Sequence, residues 1–596
     1  MNDFHVQLIQ LPLHPGTAWE ATGNIPLAPA LLAAAANLPL TAVFPEELLD
    51  SMGDTALLEE VQRKNPGILG VTLYLWNRER TVNLVRNLKK WNPELLVVAG
   101  GPEVTMDNRI LLEEPCIDLF VAGEGESFAK EVLDSDRLKE IIKSGARLLG
   151  PVVSTEPPDR WPDPYKTGHI SVVEGGSVHI ETQRGCQCLC SYCAYRKVSP
   201  VPRITPAAKV LERIGMLREM GAGELVFLDP TFNGRSDLST LLTGMSFLDL
   251  ECFAEVRGDL VRSSASACAL AEAGFKTLEV GLQTMNSEVL RAVGRGGNPL
   301  SVLQGASLLA GEGIAPVMDL ILGLPGDNPS QIEAAARHLV DRGLHEQVQT
   351  FCLSVLPGTE LRAAARKLEI AYDDRPPYCI TKSGRYTIKE LLQARDKVSD
   401  ILGYDADTPP RPVLSRTFPG LEVFIPEKNP ITDASPSVRH GVLHINTTDA
   451  WENRNAILMK VTQRRARDPY CPLDVVIRST KQFPLDLVDM LSELCEPECY
   501  TTGKAEIYGI QGLLRLAVIA SPDMDPDWIS ECSILALTVI ESASPVMLPD
   551  HRTGLLLAGS HDLALISSMY SQVEHLIFFR EQELEMLWNL DVLELG

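Results

Sequence analysis

Three cysteines in one short loop carry the most specific chemistry in this chain. They stand in Glu181-Thr182-Gln183-Arg184-Gly185-Cys186-Gln187-Cys188-Leu189-Cys190-Ser191-Tyr192-Cys193. Cys186, Cys190 and Cys193 are spaced Cys-x3-Cys-x2-Cys, a loop able to fold three thiolates round one face of a four-iron cubane. Three protein ligands leave one iron open, and a small molecule's amino and carboxylate groups can chelate it. Electron-transfer clusters of the ferredoxin type use four cysteines and leave nothing open. Zinc is the competing reading. Structural zinc takes four ligands, usually as two separated pairs. No second Cys/His pair stands at such spacing, although Cys188 makes the pairs Cys186/Cys188 and Cys190/Cys193 conceivable. Cys188 itself is read as a filler of the loop.

The elements that must position this loop follow from hydrophobic periodicity. Between residues 177 and 371, six apolar strand candidates (178–181, 224–228, 252–256, 277–280, 317–322 and 349–355) alternate with amphipathic helices. Six such units in this length predict a partial (β/α)6 barrel, since the eight-unit form takes about 250 residues. Residues 1–135 show the same alternation, with strands at 6–11, 68–73, 95–99 and 119–122. This predicts a doubly wound parallel sheet, whose ligands bind at the carboxyl ends of the strands. The polar and Gly-rich pieces fall at those ends: Tyr74-Leu75-Trp76-Asn77, Gly100-Gly101-Pro102-Glu103 and Gly123-Glu124-Gly125-Glu126. The expected organisation is α/β throughout: 1–150, a Rossmann-like domain; 151–176, a Pro-rich linker; 177–380, the barrel; 381–413, a helical connector; 414–596, a mixed α/β domain with strands at 456–461 and 475–477. The last domain carries no chemical motif, and Arg464, Arg465 and Arg467 read as a small solvated basic face. It is expected to cap the barrel or contact substrate, with a scaffold or dimerisation role equally compatible.

Composition sets the outer bounds. With 54 basic and 79 acidic residues the net charge is −25, which argues against binding a nucleic-acid backbone. No apolar run reaches the ~20 residues of a membrane span, and no signal-like start is found. A cytoplasmic location is therefore expected, where 13 cysteines are thiols or metal ligands more often than disulfides.

The cysteine loop, with the aromatic Tyr192 before its last Cys, resembles the signature of the radical S-adenosylmethionine (SAM) superfamily. Later segments resemble that family's strand ends: Asp229-Pro230-Thr231, Glu255 with Arg257, Leu278–Thr284 with Arg295, the 320–327 segment LILGLPGD, and Leu356-Pro357-Gly358-Thr359. The resemblance implies a 4Fe-4S cluster on Cys186, Cys190 and Cys193. It implies SAM contacts from Tyr192, Asp229 (in place of the family's Gly-Gly-Glu turn), Pro230, Thr231, Glu255, Arg257, Gln283, Arg295 and Leu324.

The amino-terminal motifs are similar to the cobalamin-binding domain joined to many radical SAM enzymes. The implied cobalamin contacts are Asn24, Pro26, Leu27, Tyr74, Leu75, Trp76, Asn77, Gly100, Gly101, Pro102, Glu103, Gly123, Glu124, Gly125 and Glu126. No Asp-x-His-x-x-Gly loop is present, so a His ligand to cobalt is not expected, and the Tyr74–Asn77 loop is expected near that lower face. Within this group the commonest chemistry is methylation of an unactivated carbon through methylcobalamin and a 5′-deoxyadenosyl radical. Alternatives are radical cyclisation, rearrangement or other redox chemistry without methyl transfer, and a non-catalytic cobalamin- or SAM-binding regulator. The resemblance further implies an electron donor such as flavodoxin or ferredoxin. The substrate is expected to be a small molecule or peptide of unidentified class. No residue for general acid or base work stands out, and Tyr195 and Tyr378 are read as packing or pocket residues.

Overall fold

The computed structural model describes residues 5–13, 25–133, 135–155, 157–195, 201–384, 386–403, 412–414, 418–428, 436–494, 513–542, 546, 549, 553–558 and 576–579. Its amino-terminal sheet has five parallel strands in the order β1 (Val6–Ile9), β2 (Ile68–Thr72), β3 (Leu96–Gly100), β4 (Leu119–Gly123) and β5 (Leu148–Val152). Val43 adds a parallel bridge to Leu8 on the far side of β1. The chain therefore turns back on itself at β1, and the strand order reverses between β1 and β2. That reversal makes the sheet doubly wound and opens a crevice at its carboxyl edge. Each face buries its own apolar set. Ile9, Leu69, Val71, Val97 and Phe120 pack with Leu57, Val61, Val85 and Leu88 on one side. Leu8, Ile68, Val98, Leu119 and Val121 pack with Ala30 and Ala33 on the other.

That second face is continuous with the core of the central barrel. Six parallel strands run in sequential order: β6 (Ser177–Ile180), β7 (Glu224–Phe227), β8 (Glu251–Val256), β9 (Phe275–Gln283), β10 (Ala315–Leu322) and β11 (Val348–Cys352). Sequential parallel order keeps every crossover helix on one side. Strand alternation then sends Cys252, Ala254 and Val256 outward into the helix layer, while Glu255 faces the lumen. The Pro-rich connector is anchored by Tyr165, whose hydroxyl bonds both the amide and the carbonyl of His179, each at 3.0 Å.

The carboxy-terminal domain is a third parallel sheet. Its strands follow sequence order: β12 (Leu421–Phe424), β13 (Gly441–Thr447), β14 (Leu473–Ser479), β15 (Leu514–Ala520), β16 (Leu537–Ser542), β17 (Gly554–Ala558) and β18 (Leu576–Phe579). The expected strand at 475–477 lies in β14. The expected strand at 456–461 does not form: those residues belong to a helix, Arg454–Arg467. Its apolar residues Ile457 and Val461 recur at helical spacing and pack on Leu443, Ile445, Val475 and Ile477 of the sheet. The basic face is also revised. Arg464 and Arg465 are 5% and 4% exposed. Arg464 pairs with Asp468 at 2.7 Å, and Arg465 donates to the carbonyls of Cys471 and Pro469, each at 2.7 Å. These arginines hold the loop after the helix rather than facing solvent. Among the described residues no helix is long and apolar enough to cross a membrane.

Candidate functional site

The cysteine loop leaves β6 at the carboxyl end of the barrel. Two backbone bonds hold it there. Ser191 N donates to Val293 O at 2.8 Å, and Leu361 N donates to Ser191 O at 2.9 Å. The turn at Gly294 (φ +72°) passes so close to the Leu189 carbonyl that a side chain at 294 would meet it, so both backbone angle and space require glycine. Cys186 and Cys190 are each 8% exposed, Cys193 is half-buried, and all three are free thiols. Among the described residues no three His, Cys, Asp or Glu groups converge on a point for one metal ion. A single zinc needs ligands crowded round one atom at about 2.3 Å, whereas a cubane spreads its thiolates over three irons. Three buried or half-buried free thiols on one loop at Cys-x3-Cys-x2-Cys spacing fit the cubane. Thr231 Oγ1 lies 3.4 Å from Cys186 Sγ.

Facing the loop, the lumen is polar. Parallel register sets Glu255 of β8 beside Glu279 of β9, and Gly281 beside Asp319 of β10. Glu279 and Asp319 hydrogen-bond each other, and burial together with Glu279 pushes the Glu255 carboxyl up to about 8. Arg295 is the cation among these acids: it donates to Gly281 O at 2.5 Å and to the Tyr192 hydroxyl at 3.3 Å. Asp319 Oδ1 and Gln283 Oε1 are buried with no hydrogen-bond partner among the described residues, and Gln283 sits at φ +70° on a strand irregularity. Orphaned buried acceptors beside a strained residue mark a cavity built to receive donors. The amino and ribose hydroxyl groups of SAM are such donors, so the lumen fits it. Glu279 and Asp319 were not singled out from sequence, although a carboxylate inside an apolar parallel strand was the available signal.

The structure brings Tyr192, Thr231, Glu255, Gln283 and Arg295 around this end of the barrel. The other four expected SAM residues make contacts within the protein. Asp229 is 1% exposed and accepts from Thr182 N (2.7 Å), Gln183 N (2.9 Å) and the Thr182 hydroxyl. Its lone pairs pin the entry to the cysteine loop onto the end of β7. Arg257 is committed to Asp259 and to Cys188 Sγ at 3.0 Å. Leu324 is fully buried in the apolar core. Pro230 contributes its carbonyl to Thr231 Oγ1 at 2.5 Å. Asp229→Ala is accordingly expected to lower stability by about 3 kcal/mol, because it strands buried donors, and to reduce cluster loading. Thermal unfolding and iron content check this. Unchanged stability with weakened SAM binding would instead make Asp229 a ligand contact.

In the amino-terminal crevice, Tyr74 and Trp76 stack with centroids 4.4 Å apart. Among the described residues, buried Trp76 Nε1 has no hydrogen-bond partner. An orphaned donor on an aromatic shelf at the switch point fits the amide-rimmed, flat corrin of cobalamin. Leu75 and Pro102 are half-buried beside it, and Pro26 and Leu27 are buried where the first helix starts. Asn24 lies outside the described residues. Asn77 is spent on the fold: it donates to Leu11 O (3.0 Å) and Thr72 O (3.1 Å) and accepts from Tyr74 N (2.8 Å). Gly101 (φ +101°) and Gly123 (φ +84°) run against the backbones of Leu73 and Val152, while a side chain at Gly100 would make only an ordinary 3.6 Å contact with the Val121 carbonyl. Gly125 packs on Leu32. His5 precedes β1, at the sheet edge opposite the crevice, and bonds Gln7 at 2.8 Å.

The three acidic residues of this set join the domains. Arg184, two residues before Cys186, pairs with Glu124 (3.1 Å), Glu126 (2.5 Å) and Glu181 (2.9 Å). Arg203 also pairs with Glu124. Glu103 accepts from the Tyr378 hydroxyl, which accepts in turn from Arg78 at 2.7 Å. Tyr378 is thus a buried interdomain contact. Sequence reading could not find these pairs, because no local pattern marks partners up to 275 residues apart.

Comparison with known proteins bears on both halves. Residues 180–339 match the model of the radical SAM superfamily, and residues 40–133 match that of the B12 binding domain. An uncharacterized methyltransferase of Pyrococcus horikoshii is 25% identical over 361 residues, 57% of this chain and 78% of its own length. The cobalamin-dependent radical SAM methyltransferase TokK of Streptomyces tokunonensis is 24% identical over 343 residues, 50% of this chain. The chain spans 48% of that relative's length, about half. The radical SAM methyltransferase TsrM of Kitasatospora setae aligns in three dimensions over 62% of this chain and 77% of its own, at 18% identity and a TM-score of 0.47. The two matched segments define the class of the domains: a radical SAM domain at residues 180–339, preceded by a B12-binding domain at residues 40–133. The chain's cofactors are the 4Fe-4S cluster, SAM and cobalamin that those domains imply.

Proposed function

We propose that this protein is a cobalamin-dependent C-methyltransferase acting on an unactivated carbon of a small-molecule or peptide substrate. The observation that carries the reading is the pairing of Arg184 with Glu124 and Glu126. It ties the start of the cysteine loop directly to the carboxyl edge of the cobalamin-type sheet. Two ligand sites therefore open toward one seam, where a substrate can reach both. When bound, the cluster supplies the electron that splits SAM into methionine and a 5′-deoxyadenosyl radical, and cobalamin supplies the methyl carrier. The chain's residues do the positioning. Cys186, Cys190 and Cys193 would hold the cluster, leaving SAM the coordination position that three protein ligands do not fill. Arg295 offers a cation for its carboxylate, and Asp319 and Gln283 offer acceptors for its donors. Tyr74 and Trp76 would offer the corrin a stacked aromatic shelf that excludes water. A flavodoxin or ferredoxin is the expected source of electrons.

The test is product stoichiometry under anaerobic turnover with reduced cluster and cobalamin. Methyl transfer gives S-adenosylhomocysteine and 5′-deoxyadenosine in equal amounts. A reaction yielding 5′-deoxyadenosine alone overturns the methyltransferase reading in favour of cyclisation or rearrangement. Absence of both products favours a binding protein.

A further inference from the structure

We propose that the carboxy-terminal domain is part of the cobalamin site, acting through Arg439 as a positioning residue. The inference rests on the cobalamin reading above. It begins at the helix Asp54–Lys64 of the amino-terminal domain. Its N-cap is Gly53, which has no side chain to satisfy the first-turn amides. The carboxy-terminal domain supplies the missing acceptors. Asp468 Oδ1 receives Thr55 N at 3.1 Å, and Ser437 Oγ receives Ala56 N at 2.9 Å. A side chain at 53 would lie 2.5 Å from Ser437 Oγ and 2.6 Å from Asp468 Oδ1, so the glycine is the seat for this contact.

Around this cap the seam is continuous. Gly53 N donates to Ser437 O (3.2 Å), Arg439 N donates to Ser51 O (3.0 Å), and Met52 pairs antiparallel with Val438. Asp54 accepts from Tyr470 N and from Arg80 Nε, each at 2.7 Å. The domain therefore docks on the amino-terminal sheet's helix layer.

Arg439 extends this seam to the ligand crevice. Its side chain, 13% exposed, pairs with Asp50 and donates its other terminal nitrogen to the Leu13 carbonyl. Leu13 lies four residues past Ile9, the end of β1, on the chain leaving the switch point. Two residues earlier, Asn77 holds the Leu11 carbonyl from the β2 side. The exit of β1 is thus held between Asn77, on the Tyr74–Asn77 loop, and Arg439, from a domain more than 400 residues away in sequence. A charged donor on a backbone carbonyl resists displacement more than a neutral one. Arg439 keeps the β1 exit in the position that leaves the crevice open beside Trp76.

The experiment uses the full chain with reconstituted cluster, titrated with hydroxocobalamin and followed by its visible spectrum. Arg439→Gln is expected to weaken cobalamin binding roughly tenfold or more, with iron per chain unchanged. Ser437→Ala removes an acceptor from the same seam without touching Leu13. It is expected to lower the melting temperature and leave cobalamin affinity within about twofold, the change being confined to the cap. Equal weakening by both variants means general docking and overturns the role of Arg439, as does wild-type affinity in Arg439→Gln. A wild type that takes up no cobalamin overturns the cobalamin reading and this inference together.

Discussion

Cys190→Ala is expected to strip the chain of its cluster, taking iron from about four atoms per chain to near zero and abolishing SAM cleavage. Cys188→Ala is expected to leave both unchanged. The contrast rests on where the loop sends each thiol. Cys190 is buried between backbone bonds that fix its neighbours: Ser191 N to Val293 O, and Cys193 N to Cys190 O at 3.2 Å. Removing one of three thiolates leaves two irons without protein ligands, which a cubane does not survive under turnover. Cys188 Sγ bonds the Cys186 thiol and accepts from Arg257, which is itself held by two bonds to Asp259 and so occupies the Cys188 sulfur. Iron and sulfide analysis of anaerobically reconstituted variants measures both arms. Loss of iron in Cys188→Ala would make it a fourth ligand and close the coordination position that SAM requires.

Arg184→Leu is expected to cost about 3–5 kcal/mol, the penalty for leaving buried partner charges uncompensated. Its side chain is 12% exposed, and those of Glu124 and Glu126 are 6% exposed. Without it, Glu126 and Glu181 lose their charge partner in this cluster, while Glu124 keeps Arg203. Arg184→Lys keeps the charge but cannot reach three carboxylates with one ammonium, so an intermediate loss is expected. Calorimetric unfolding of the two variants checks the order. A double-mutant cycle with Glu126→Gln reads the pair directly, since residues in one network are non-additive. Unfolding indistinguishable from wild type in Arg184→Leu would remove this network from the forces joining the domains. The same variant is expected to lower cobalamin and iron content together, because one guanidinium anchors both loops.

The cysteine loop and the six-unit barrel were legible because both are local. Thiol spacing is a property of consecutive residues, and strand–helix alternation shows in windows shorter than a domain. The doubly wound sheet was legible for the same reason. The segment 456–461 was misread because a short apolar run does not separate strand from helix. Ile457 and Val461, four residues apart on one helix face and packed against the sheet, place the segment in a helix. Arg464 and Arg465 read as solvated because sequence cannot show that Asp468 and two loop carbonyls fold back onto them.

Chemistry-bearing residue types, their order and their approximate strand ends were determined by the sequence alone. It could not assign the free side chains. Asp229, Asn77, Glu103, Glu124 and Glu126 all sit at ligand-facing strand ends, yet each spends its oxygens or nitrogens on protein partners. Glu279 and Asp319, inside apolar strands, became lumen residues through β-sheet register. Register and domain docking are long-range. They depend on which backbones lie side by side and which charges meet on burial, and a carboxylate is left for a ligand only where that packing supplies it no partner.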